Sequence, residues 1–300
     1  MHYNTSFNRK GGFKLFNGKI LGVLTALMMC VMLGGCGGSD SPNTKAETLK
    51  IGTITSLNAG EQQFNDYLKN LESQVTRNHL KLSANYTFYD NLTGMQLGLQ
   101  SGEVDEISTY KCVADYLIVR QPGIEIKTDN VFDPPLKDNF CCAVKSDRSE
   151  LLDALNNAID AMKDDGTLEK LTKQFIADQN DGAEPDAVEM PKLEGAETIK
   201  VAVTGDLPPI DLITADGKPA GFNTAVLAEI SKLINKNFEL VSIESTARAS
   251  ALSSGAVDIV FWVRVPESDS IFPLNVDRPE GIDISHEYYK DEIVHVGMKK

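Results

Sequence analysis

The sequence predicts an α/β protein built from two similar lobes, and three observations predict it. Leu49-Lys50-Ile51-Gly52-Thr53-Ile54-Thr55 and Ile199-Lys200-Val201-Ala202-Val203-Thr204-Gly205 each read as a buried strand running into a polar loop. About 50 residues further on, Leu99-Gln100-Ser101-Gly102-Glu103-Val104-Asp105 and Leu252-Ser253-Ser254-Gly255-Ala256-Val257-Asp258 share the pattern L-x-S-G-x-V-D. The offsets between the paired landmarks are 150 and 153 residues, so the two halves keep register. Between the landmarks each half carries a helical stripe and then a strand. Phe64, Tyr67, Leu68, Leu71 and Val75 form one stripe, and Val226, Ile230, Leu233 and Ile234 form the other. Leu80, Leu82, Ala84, Tyr86 and Phe88 alternate as a half-buried strand does, and Phe238 to Ile243 is the shorter equivalent. In the shared pattern the glycine is expected as a left-handed helix cap, with the next strand starting at the valine.

The elements before, between and after these landmarks follow from composition. A basic stretch ending at Lys19 precedes fourteen apolar or small residues, Ile20 to Leu33, and then Gly34-Gly35-Cys36. That run is shorter than the roughly 20 residues of a membrane span, and its flanks are those of a signal peptide. Leu33-Gly34-Gly35-Cys36 resembles the bacterial lipobox, whose cysteine is diacylated and becomes the new N-terminus. Residues 1–36 are therefore expected to be a lipoprotein signal peptide with Cys36 as the lipidation site, and 37–47 a flexible polar tether. Residues 48–145 form the first α/β lobe, with a strand from Phe140 to Lys145 expected to cross to the second. In 146–176, Leu151, Leu155, Ala158, Ile159 and Met162 mark one amphipathic helix, and Leu168, Leu171 and Phe175 a second. Residues 177–197 are acidic, contain Pro185 and Pro191 and lack periodicity, which reads as a linker. Residues 198–300 are the second lobe.

The second lobe carries the most specific motifs. Val203-Thr204-Gly205-Asp206-Leu207-Pro208-Pro209-Ile210 is followed by Asp216-Gly217-Lys218-Pro219-Ala220-Gly221-Phe222-Asn223, and Ser285-His286-Glu287-Tyr288-Tyr289 comes later. These resemble the opening strand, Pro-containing ligand loop, "dGk.xGfd" hairpin and "FSxPYY" of the family 3 bacterial extracellular solute-binding proteins of ABC importers. Leu151 to Phe175, with Asp165-Gly166-Thr167-Leu168 inside it, resembles the helices with which those proteins end. The resemblance implies a two-lobed periplasmic-binding-protein-like fold of type II with a ligand cleft between the lobes. It also implies a changed order, because the family's first lobe stands last here and its terminal helices stand in the middle. The chain therefore reads as a circular permutant in which 177–197 joins the usual termini. Permutation is tolerated where old termini lie close and the new break is exposed.

In open α/β sheets ligands bind beyond the carboxyl ends of the strands. That rule selects Thr55, Ser56 and Asn58 after one first strand, and Asp206 and Leu207 after the other. The resemblance adds Arg278, seven residues before Ser285, the spacing the family places between its carboxylate-binding arginine and that serine. A guanidinium suits the task because its planar fork matches two carboxylate oxygens. Arg248 and Arg264 are weaker alternatives. Trp262, the only tryptophan, is expected either to wall the cleft or to fill the core. Tyr110 stands where the family carries the aspartate that receives the ligand's ammonium, and Ser245 where it often carries a stacking aromatic. A standard α-amino acid is thereby put in doubt, and a ligand lacking the ammonium or presenting another group is expected.

Charge and composition narrow the function classes. Lys and Arg total 29 against 43 Asp and Glu, giving −14, and residues 1–36 contain no acid, so the remainder is more acidic still. Such a surface repels nucleic-acid phosphates and anionic lipid. Nucleic acid is not an expected partner, and membrane contact is expected only through the lipid anchor. Cys112, Cys141 and Cys142 are too few and oddly numbered for a disulfide framework, and read as buried thiols. Their spacing does not suit zinc, and His286-Glu287-Tyr288-Tyr289-Lys290 lacks the second histidine of HExxH. No nucleophile elbow, P-loop or dinucleotide fingerprint is present, so no cofactor, metal or catalytic residue is expected. The expected role is a monomeric, non-enzymatic lipoprotein on the extracytoplasmic side of a bacterial membrane, capturing a small polar or anionic ligand for an ABC permease. A sensing or orphan binding lipoprotein is the alternative, and a dehydratase-type enzyme on the same fold a more distant one. Metabolic labelling with a palmitate analogue tests the anchor: wild type is labelled and Cys36→Ala is not, whereas equal labelling of both excludes Cys36.

Overall fold

The repeated L-x-S-G-x-V-D pattern is a mechanical clamp, built identically in both halves. In the computed structural model, which describes residues 48–54, 84–128, 136–179, 182–267 and 279–300, each glycine ends a helix in the left-handed conformation, Gly102 at φ 75° and Gly255 at φ 77°. Only glycine adopts that conformation without a Cβ penalty. The aspartate that follows then grips the first strand of its own half. Asp105 accepts from the Lys50 N–H at 2.9 Å and donates its own N–H to the Lys50 carbonyl at 2.8 Å. Asp258 does the same to Lys200, at 2.9 Å and 2.8 Å. The strand after each clamp begins two residues beyond the valine rather than at it, because the Asp is spent on this cross-link.

The first half contains β1 (Leu49–Ile54), β2 (Ala84–Tyr89), α1 (Leu92–Ser101), β3 (Glu106–Tyr110), α2 (Lys111–Arg120) and β4 (Ile124–Lys127). β1 pairs in parallel with β2 and β3. There follow β5 (Lys137–Lys145), α3 (Ser149–Asp164) and α4 (Thr167–Thr172), continued by a π-helical turn over Lys173–Ala177. The second half has β6 (Thr198–Val203), a small three-stranded sheet of β7 (Asp206–Leu207), β8 (Asp211–Ile213) and β9 (Pro219–Ala220), then α5 (Phe222–Ile234), β10 (Asn237–Ser242), α6 (Ser245–Ser254), β11 (Ile259–Pro266), β12 (Ile282–Ile284) and β13 (Tyr289–Met298). β6 pairs in parallel with β10 and β11, repeating the arrangement around β1. The large sheet runs β10-β6-β11-β5-β13-β3-β1-β2, with β12 on β5 and β4 on β13.

The strand shared by both halves differs from expectation. β5 hydrogen-bonds to β11, β12 and the start of β13, all in the second half. β13 is the bridging strand: Tyr289–Glu292 pair with β5, Ile293–Gly297 with β3, and its end with β4. Its ten residues are long enough to pair with strands of both halves.

The helices α3 and α4 pack on α5, in the second half. Leu155 and Ile159 are fully buried and Met162 nearly so, as the stripe requires. Asp160 and Asn156 of α3 hold His286, through its ring Nδ1 at 3.0 Å and its N–H at 2.8 Å. The acidic stretch expected as a plain linker is pinned where it is described. Val188 donates to the Pro219 carbonyl at 2.9 Å, and the Asn237 side chain bonds to Leu193 and Ala196. Cys112, Cys141 and Cys142 are buried and not joined in disulfides.

One glycine is fixed by close approach. Phe222 and Asn223, in the first turn of α5, donate to the carbonyls of Pro209 and Ile210 at 3.0 and 2.7 Å. That brings the loop down on Gly221, where an added Cβ would stand 2.6 Å from the Pro209 oxygen, with φ at 93°. Gly221→Ala is expected to lower stability by at least about 2 kcal/mol, measured by urea unfolding. An unchanged midpoint would mean that the loop can lift off the helix without loss.

Candidate functional site

β6 ends at Val203, and the chain turns sharply through Thr204 and Gly205 into the small sheet. Asp211 of β8 folds back under the turn and accepts from the Thr204 N–H at 2.8 Å. It is 1% exposed. Burial pushes its carboxyl up to about 6, against the opposing pull of the Thr204 N–H and the Arg248 charge. α6 delivers that arginine. Ser245, Arg248 and Leu252 stand at helical spacing on its buried face, so Arg248 points inward and is 3% exposed. Its Nη1 donates to the Trp262 carbonyl at 3.2 Å and lies 3.4 Å from Thr204 Oγ1, and its Nη2 donates to Ser245 Oγ at 2.9 Å. The guanidinium carbon lies 5.8 Å from the centre of the Trp262 ring. An ion this buried is tolerated only where oxygens and a π-face replace its water.

Trp262 forms the floor of this cluster. Its ring stacks on Phe140 at 4.9 Å between centroids, and Tyr110 meets it edge-on at 5.4 Å. It is 6% exposed, and its indole N–H has no hydrogen-bond partner among the described residues. Tyr110 donates its hydroxyl to Asp138 Oδ2 at 2.9 Å, from β3 to β5. Burial first, and then the neighbouring Asp138 charge, hold that phenol well above its usual range. Arg264 reaches to 4.0 Å from the same Asp138 oxygen.

Asp206 opens β7 and faces the other half. Its Oδ2 accepts from the Thr93 N–H at 3.2 Å, in the first turn of α1. Burial raises its pKa, against the N–H groups of Thr93 and Leu92 and the charge of Arg248. Its Oδ1 is buried with no hydrogen-bond partner among the described residues. A second strand-end contact joins the halves close by, from the Ser245 N–H to the Asp90 carbonyl at 3.4 Å.

Of the residues selected from the sequence, Asp206, Ser245, Trp262 and Tyr110 lie in this connected neighbourhood, while Leu207 packs into the core at 1% exposure. Thr55, Ser56, Asn58 and Arg278 lie outside the described residues. Arg248, rated a weaker alternative, is the arginine that organises the neighbourhood. Asp138, Asp211 and Phe140 were missed. Asp138, set between Lys137 and Asn139 at the polar start of β5, left no signal, and neither did Asp211.

Part of the second half resembles known proteins. Residues 199–296 match the family Bacterial extracellular solute-binding proteins, family 3, about a third of the chain. Among individual proteins, the ABC transporter arginine-binding protein 1 of Escherichia coli (strain K12) is 31% identical over 89 residues, 29% of this chain and 37% of that protein. The chain thus spans well under half the length of that relative. Among solved structures, the ligand-binding component of an ABC-type import system from Staphylococcus aureus aligns over 83% of this chain and 65% of its own, at 13% identity and TM-score 0.41. The GluR0 ligand-binding core with L-glutamate covers 85% of this chain and 86% of its own, at 10% identity and TM-score 0.38. An ancestral arginine-binding protein covers 84% of each chain, at 14% identity and TM-score 0.38.

The buried Asp211 makes stability pH-dependent. A folded pKa of about 6 above the ordinary 3.8 means that the folded state keeps its proton to higher pH than the unfolded chain. The associated stability is present below about pH 4 and lost as pH rises through 6, on the order of 3 kcal/mol. Asp211→Asn keeps an acceptor for Thr204 and removes the titration. The stability of wild type relative to Asp211→Asn, from urea unfolding, should therefore fall by about 2 kcal/mol between pH 4 and 7. Parallel profiles would exclude Asp211 as the titrating group.

Proposed function

We propose that this chain is an extracytoplasmic solute-binding lipoprotein that captures a small polar or anionic, amino-acid-like ligand between its halves and hands it to an ABC permease. The observation that carries the reading is the family match over residues 199–296, which contains the strand-end turn, Asp206, Arg248 and Trp262. The ligand lies beyond the ends of β6 and β1, where concave surfaces of open α/β folds bind small molecules. Arg278 receives its acidic group, aided by backbone N–H groups near Thr55, Ser56 and Asn58. Trp262 offers an indole N–H and Asp206 a carboxylate oxygen, and buried polar atoms of this kind call for a partner. Cys36 carries the anchor, and residues 37–47 span from lipid to fold.

We further propose that the chain is circularly permuted. Its support is that α3 and α4 pack on α5 across the intervening 177–197 segment, and that β13 carries the chain's last strand back to the sheet holding its first. The helices thus belong to the half that follows them in sequence.

Mass spectrometry of small molecules co-purifying with the protein identifies the ligand class, and calorimetry with a panel of L-amino acids extends it. Removing one partner of a buried charge pair typically costs about 2–5 kcal/mol, roughly 30- to 5,000-fold in affinity. Arg278→Ala should lose that much with unchanged circular dichroism, and Arg278→Lys should recover part of it. Loss on Arg248→Ala with full binding by Arg278→Ala would transfer the role to Arg248. Indifference to both would mean a neutral or cationic ligand.

A further inference from the structure

We propose that Asp206 is a clasp between the two halves of the fold, holding them together by capping α1 from across the site. α1 caps itself only in part. Asn91 accepts from the Gly94 N–H at 2.8 Å with its side chain, and its carbonyl takes the Met95 N–H at 3.2 Å. The first-turn amides of Leu92 and Thr93 are left over, as helix geometry requires of a first turn. Asp206 supplies what they need. Its carboxylate comes from β7, 113 residues away in sequence, and accepts from the Thr93 N–H at 3.2 Å.

The choice of group follows the helix's electrostatics. A carboxylate at a helix N-terminus meets both the free N–H groups and the positive end of the helix dipole. Nothing in α1 competes for the place, since its first turn contains no acid. Burial raises the Asp206 pKa, and the Thr93 and Leu92 N–H groups and then the Arg248 charge pull it back down. Ser245 adds a parallel tie nearby, its N–H meeting the Asp90 carbonyl at 3.4 Å just before α1 begins. Both ties join the same two surfaces, so separation of the halves must break both together, and loss of a local cap need break only one. The clasp needs no ligand, and its test is independent of whether one is found.

Amide hydrogen exchange on the full chain in detergent reads both ties at once. Loss of an N-terminal cap shifts a helix equilibrium by roughly 2- to 30-fold. Asp206→Ala is expected to speed exchange at Leu92 and Thr93 by that factor and to speed exchange at Ser245 in parallel. Asp206→Asn, which keeps an acceptor oxygen in place, is expected to retain most of the protection at all three. As a contrast, Asn91→Ala is expected to expose Gly94 while leaving Ser245 protected. Faster exchange at Leu92 and Thr93 with Ser245 unchanged would overturn the clasp and leave Asp206 a local cap. No change at any of the three in Asp206→Ala would overturn it altogether. Should Asp206→Ala fail to fold, Asp206→Ser, whose hydroxyl is too short to bridge the gap, supplies the same comparison.

Discussion

β13 carries two obligations at once, and the fold depends on its meeting both. Tyr289–Glu292 close the ladder with β5, and Ile293–Gly297 close the one with β3. A backbone N–H or C=O left unpaired in a buried sheet costs free energy comparable to a lost hydrogen bond. The register of one half is thereby transmitted to the other through a single continuous strand. Asp291, at the point of handover, accepts from the Cys112 N–H at 3.0 Å and so fastens the start of α2. Tyr289, beside it, packs its ring edge-on against Phe140 at 5.2 Å. Two parallel-sheet units that would otherwise be separate small domains become one sheet.

Around that seam the protein concentrates aromatic surface. Phe140 is fully buried and touches the rings of Tyr110, Trp262, Tyr288 and Tyr289. Edge-on and stacked ring pairs contribute about 0.5–1.5 kcal/mol each beyond their buried area. Their polar ends are directed to specific partners: Tyr110 to Asp138, and Tyr288 to the side chain of Asn223 at 3.0 Å. A packed aromatic seam of this kind fixes the relative position of the strand ends on either side. The site above it inherits that position.

The electrostatics of the site are those of a few ions in a confined space. Arg248 is surrounded by a hydroxyl pair, a carbonyl and an indole face, with Asp206 and Asp211 near enough for its charge to lower both carboxyls. Burial still raises both acids. Desolvation thus outweighs attraction at each of them, the usual outcome for carboxylates removed from water. Such a group is held in place by the surrounding fold, and it responds to any partner that replaces the water it has lost.

Much of the architecture was legible in the chain because it is written in local, periodic signals. The two L-x-S-G-x-V-D patterns revealed the duplication, since a left-handed cap needs glycine and a strand clamp needs a short acid at a fixed offset. The stripe from Leu151 to Met162 revealed a helix buried on one face. The strand-end rule drew attention to Asp206, although nothing local says that its carboxylate reaches α1. Which strand bridges the halves was not legible, because β5 and β13 are both long enough to do so and only pairing in three dimensions separates them. That Arg248 is buried was not legible for a related reason. On a polar-looking helix with little amphipathic contrast, an arginine reads as solvated, and only the packing of α6 against Thr204 and Trp262 turns it inward. The sequence by itself determined the fold class, the paired glycine caps and the place of the loop after Val203, since these follow from backbone geometry and burial period. The tertiary structure alone decided which charges meet, because ion pairing and capping depend on distances between residues far apart in the chain.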